Sequence, residues 1–97
     1  MAWLICRTRQ RQYDIVNTER IARISIIRFE ESGRYKVSIC PSEFEVIPID
    51  VTLKDLDNVG ALLTILTSEG YFIIEDGEIK VWSGQDLFTK SRGDKRD

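Results

Sequence analysis

Histidine is absent from this sequence of 97 residues. That removes the side chain best suited to moving protons near neutral pH, and the commonest metal ligand. Acid–base chemistry would have to rest on carboxylates, lysine or tyrosine. Cysteine is nearly absent too, with only two, Cys6 and Cys40. They allow one bridge at most, and neither belongs to a CxxC pair, so a zinc site and a disulfide scaffold are excluded. Both lie in apolar runs, Leu4-Ile5-Cys6 and Val37-Ser38-Ile39-Cys40, where a free thiol behaves as a small hydrophobe. No apolar run approaches the ~20 residues of a membrane helix. Met1 to Arg7 is too short for a signal-peptide core. The expected location is the cytoplasm, with no membrane partner.

What is present is ordinary for one globular domain. The chain is 42% hydrophobic and 31% charged, against about 45–50% apolar and about 25% charged on average. Its net charge of −2 conceals an uneven distribution. Residues 1–28 carry Arg7, Arg9, Arg11, Arg20, Arg23 and Arg28 against Asp14 and Glu19 only. The middle of the chain is strongly acidic. The final segment, 89–97, is basic and contains no apolar residue, so it cannot offset its ordering entropy and is expected to be disordered. Its Arg92-Gly93-Asp94 is read as a chance match to an adhesion tripeptide. The expected domain is 1–88.

Trp3 to Thr8 reads as a strand with Trp3, Ile5, Arg7 and Arg9 on one face. Tyr13 to Val16 is a short extension before the polar turn Asn17-Thr18-Glu19. Ile21 to Phe29, rich in β-branched residues, reads as a second strand, with a helix start near Thr18 competing over 19–23. Glu30 to Gly33 turns the chain into Arg34 to Cys40, where Tyr35, Val37 and Ile39 alternate cleanly. Phe44 to Val51 reads as another strand whose apolar phase slips, and Pro48 assigns it to an edge or a bulge.

Thr52-Leu53-Lys54-Asp55 matches a capping box, which predicts a helix over about 52–68. Its stripe is Leu56, Val59, Leu63 and Leu66, widened by Leu62 and Ile65. Gly60 suggests a break or a close approach, and Gly70 a helix end. Asp76-Gly77 between two apolar runs predicts a hairpin over 71–82 with a two-residue turn. That register puts Phe72, Ile74, Ile79 and Val81 on the core face. Tyr71, Ile73, Lys80 and Trp82 fall on the other, with Glu75 and Glu78 solvated near the turn.

These elements predict an α+β fold: an antiparallel sheet of four to six strands, one main helix packed on a face, and a C-terminal hairpin. The segment Leu62 to Trp82 resembles the last helix and wing of a winged-helix domain. The likeness is local, because residues 1–51 read as strands and Asp55-Leu56-Asp57-Asn58 is acidic where a recognition helix meets phosphate.

No phosphate-binding loop, dinucleotide fingerprint, nucleophile elbow or metal-ligand cluster occurs. The expectation is a non-enzymatic protein-interaction module without cofactor or metal. Its partner is expected to be itself, as a homodimer or higher, or a larger assembly it serves as subunit or regulator. The expected interface is Tyr71, Ile73 and Trp82 with Leu62 and Ile65, since an over-wide helix stripe and an aromatic outer face both need covering. The alternative is a nucleic-acid or polyanion binder using Arg7, Arg9 and Arg11 with Trp3 and Tyr13, because arginine and aromatic stacking together hold single strands.

Overall fold

The computed structural model describes residues 1–9, 11–41, 47–84 and 87. Strand β1 (Ala2–Arg9) turns back into β2 (Gln12–Asn17), and a single 3₁₀ turn over Thr18–Arg20 follows. The helix start that competed near Thr18 is thus one turn long. The Asn17 side chain caps it by accepting from the Glu19 N–H at 3.0 Å. Strands β3 (Arg23–Arg28) and β4 (Tyr35–Cys40) form the expected hairpin, with Gly33 at φ 72° in its turn. Next come β5 (Ile49–Leu53), helix α1 (Leu56–Ile65), β6 (Gly70–Glu75) and β7 (Glu78–Val81).

The fold is α+β, and its strands divide between two sheets. One has the order β2-β1-β6-β7, the other β3-β4-β5. Every pairing is antiparallel except that of β1 with β6, which is parallel. A parallel pair needs a long crossover. Here the crossover contains the whole second sheet and the helix.

The core lies between the sheets. Leu4, Cys6 and Ile74 from the first sheet meet Val37, Ile39, Val51 and Leu53 from the second, with Val59, Leu62 and Ile65 from α1. The alternation of Tyr35, Val37 and Ile39 is borne out, Val37 and Ile39 being fully buried. The helix touches β5 and β7, so it spans an edge strand of each sheet. The Asn58 side-chain oxygen fixes it there by accepting from the Ile79 N–H at 2.9 Å.

Several local expectations are corrected. The helix begins later than the capping box suggested, because Thr52 and Leu53 belong to β5. Asp55 is the N-cap and accepts from the Asn58 N–H at 3.0 Å. This bond holds the Asp55 carboxyl below its ordinary value. The buried stripe is Val59, Leu62 and Ile65, while Leu56 and Leu63 face solvent. Gly60 is neither a break nor a close approach, since a Cβ there would meet nothing within 4 Å. Gly70, at φ 120°, opens β6 five residues after the helix has ended. Of the phase-slipped strand, 42–46 lie outside the described residues, and Ile47 and Pro48 precede β5, which is an edge as Pro48 suggested. The 89–97 segment also lies outside the described residues.

The last hairpin has the expected register, Phe72 opposite Val81 through Glu75 opposite Glu78. Asp76 at φ 55° and Gly77 at φ 79° make a turn with both central residues left-handed. The turn is docked as well as closed. The Lys54 N–H donates to the Gly77 carbonyl at 2.9 Å, and Lys54 and Glu78 form an ion pair beside it.

These contacts give opposite outcomes for two Gly→Ala changes. A Cβ on Gly77 would sit 3.0 Å from the Lys54 Cβ and 3.2 Å from its backbone nitrogen, in a left-handed conformation. Gly77→Ala should cost about 1–3 kcal/mol in urea unfolding. Gly60→Ala, in an open helix position, should add about 0.5–1 kcal/mol.

Candidate protein-interaction surface

The parallel pairing of β1 and β6 decides which side chains meet on the outer face of the four-stranded sheet. Trp3 is in register with Asn17 on one side and Tyr71 on the other. Tyr71 accepts a backbone hydrogen bond from Trp82 at 2.9 Å. One row across the sheet therefore reads Asn17, Trp3, Tyr71, Trp82. The next reads Ile15, Ile5, Ile73, Lys80; beyond it Arg7, opposite Tyr13, comes within 4.0 Å of Glu75, opposite Glu78.

The Tyr71 and Trp82 rings meet edge to face, centroids 6.1 Å apart at 65°. Tyr71 is 53% exposed, and Ile15 beside the row is exposed as well. Trp3 and Trp82 are half-buried. The Trp82 indole N–H is buried and finds no acceptor among the described residues. A groove of about 400 Å³ continues from Trp3 around the β2 edge, lined by Ile15, Val16, Arg20, Pro41 and Ile49.

Three of the residues expected at an interface are not available to one. Leu62 and Ile65 are buried in the chain's own core, where the two sheets cover the helix. Ile73 is 2% exposed although it lies on the outer face. It sits on a central strand in register with Ile5, which is 3% exposed. Val81 departs the other way. By parity it belongs to the core face, yet it ends the edge strand and is 72% exposed. Leu87 comes to the Tyr13 end of the outer face, its carbonyl accepting from the Tyr13 hydroxyl at 3.3 Å. Asp86 and Phe88 lie outside the described residues.

The arginine set is dispersed. Arg7 stands 4.0 Å from Glu75, whose carboxylate is only 7% exposed. Glu75 was expected to be solvated, and the parallel register that brings Arg7 beside it was not foreseen. A bulge between Arg7 and Arg9 interrupts the alternation that would have put both on one face. Arg9 and Arg11 are exposed at the end of the β1–β2 hairpin.

A second groove, of about 620 Å³, lies where the two sheets meet near the Gly77 turn. Arg7, Arg34 and Lys36 line it with Asp50 and Asp76. Lys36 is 3.8 Å from Asp50, so the groove is a lattice of mixed charges rather than a cradle for an anion. Among the described residues no three histidine, cysteine, aspartate or glutamate side chains are placed to hold a metal ion. No described helix is long and apolar enough to cross a membrane. No protein-family model, curated protein or solved structure matches the chain.

Both cysteines are free, and their surroundings separate them. Burial, then the nearby Asp14 carboxylate, pushes the Cys6 thiol up to about 12. It therefore stays protonated through the neutral range, and stability falls as pH rises above the ordinary thiol value towards that limit. Cys40 is half-buried. In the native protein at pH 8, a thiol reagent should label Cys40 and leave Cys6, with the second equivalent appearing only in denaturant. Peptide mapping of the labelled chain checks this.

Proposed function

We propose that this chain is a non-enzymatic protein-interaction module, self-associating or a small subunit of a larger assembly, and that it docks through the outer face of its four-stranded sheet. The observation that carries this reading is the row Trp3, Tyr71, Trp82. An aromatic side chain buries about 150–250 Å² when covered, and tyrosine and tryptophan are the types that most often dominate interface energy. Tyr71 is left half in solvent, and the apolar groove beside Trp3 extends the patch.

The test is the double variant Tyr71→Ser, Trp82→Ser in sedimentation velocity. The parent should sediment as a larger species than the variant, and circular dichroism should show both folded. A parent and variant of identical size would refute self-association through this face. An unfolded variant would place the pair in the core.

A second reading, polyanion binding, draws on exposed Arg9 and Arg11 at one end of the sheet that carries the aromatic row. Arg7 contributes less, being engaged with Glu75. If the reading holds, a short single-stranded oligonucleotide binds at low salt, and Arg9→Glu with Arg11→Glu weakens it at least tenfold and flattens its salt dependence. No binding by the parent at low salt ends it.

A further inference from the structure

Two sheets present four edge strands, β2, β7, β3 and β5. Three are blunted in recognisable ways. β7 has only four residues, two of them charged, and β5 follows Pro48 and carries Asp50. β2 pairs through a bulge and runs straight into the 3₁₀ turn. Short strands, proline, charge and bulges all discourage further pairing. β3 has six residues in unbroken register with β4, and Ile26, Ile27 and Phe29 at and just beyond it are all exposed, Ile27 to 55%.

The backbone of that edge can be assigned. The Phe29 N–H donates to the Arg34 carbonyl at 2.8 Å. In an antiparallel strand N–H and C=O of one residue point the same way, and successive residues alternate. Ser25 and Ile27 therefore bond towards β4. Ile24, Ile26 and Arg28 point their backbone groups out of the sheet.

We infer that β3 pairs with β3 of a second copy of this chain, antiparallel about a twofold axis at Ile26, joining the two three-stranded sheets into one. The charges favour a second copy in this orientation. The strand starts at Arg23, shortly after Arg20, and ends at Arg28, with Glu30 and Glu31 just beyond it. Antiparallel self-pairing brings the basic start of each strand towards the acidic end of the other. With the axis at Ile26 no two arginines oppose each other: Ile26 faces its own counterpart, Arg28 faces Ile24, and Arg23 faces the Phe29 ring. A twofold contact is also closed, so each copy uses its open edge once and no fibre propagates. This surface is separate from the aromatic row, and the inference does not depend on that row binding anything.

The test uses the full chain and sedimentation equilibrium from micromolar to millimolar concentration. The parent should show a reversible dimer. Ile26→Pro deletes an N–H that no described strand of the same chain uses, so it should raise the dimer dissociation constant at least tenfold while circular dichroism stays native. If that variant fails to fold, Ile26→Lys serves instead. It sets two ammonium groups against each other at the axis, and its weakened dimer should recover in high salt. Tyr71→Ser with Trp82→Ser should leave the β3 dimer intact, so the two surfaces fail separately. A parent that is monomeric at millimolar concentration overturns the inference. So does a dimer whose dissociation constant neither Ile26 variant changes.

Discussion

The parallel pairing of β1 with β6 is the constraint on which the other features depend. It makes β1 a central strand, hydrogen-bonded on both edges, and so commits alternate residues to opposite environments. Leu4 and Cys6 enter the core beside Ile74. Trp3, Ile5 and Arg7 go to the outer face and meet Tyr71, Ile73 and Glu75 in strict order. A shift of one residue would exchange the two sets, putting an arginine and a tryptophan into the core. The ion pair of Arg7 with Glu75, the burial of Ile73 and the aromatic row all follow from one register. The neighbouring strand delivers a cation, Arg7, to within 4.0 Å of the buried Glu75 carboxylate, which offsets part of the cost of burying the charge.

The second organising contact is the Gly77 turn. It has to be left-handed at two residues so that the twist of β6 and β7 is not broken. Because it carries no side chain at Gly77, it also lies directly against Lys54. The Lys54 N–H bond to its carbonyl ties one sheet to the last residue before the Asp55 cap. The helix is therefore fixed at its start by Asp55 and to β7 by Asn58. Only Val59, Leu62 and Ile65 then need burial, and the sheets supply it.

What could be read from residues alone was what is local. Asp76-Gly77 determined its hairpin to the residue, because turn chemistry is specific. Tyr35, Val37 and Ile39 identified a core-facing strand, because period two cannot be mistaken for period 3.6. The α+β class followed from the element order. The division into two sheets did not, because strand patterns do not say which strands pair. That one gap accounts for the misplacement of Ile73, the solvated reading of Glu75 and the supposed need to cover Leu62 and Ile65. The helix start was misread for a different reason. Thr52 and Asp55 are both acceptable caps, and only the strand ending at Leu53 decides between them. An Asp followed three residues later by Asn was a visible signal for the later start.

Exposed apolar side chains on the aromatic row and along β3 differ in their surroundings from each other and from the scattered Ile47, Leu56, Leu63 and Val81. On the outer face of the first sheet Ile5 and Ile73 are buried, while Tyr71 and Ile15 stay exposed. At β3 there is a neighbour on one side only, and Ile26, though it points to the core side, overhangs it. The two exposures thus differ in kind. On the aromatic row the backbone is already satisfied, and recognition there depends on ring area and shape. Along β3 the outward backbone groups pair with no described strand, and recognition there depends on hydrogen-bond register, to which side chains add only selectivity. A surface of the first kind tolerates many partners of suitable contour. A surface of the second kind accepts only another extended strand, and the charge order from Arg23 to Glu31 restricts that strand to one whose charges run the opposite way alongside it.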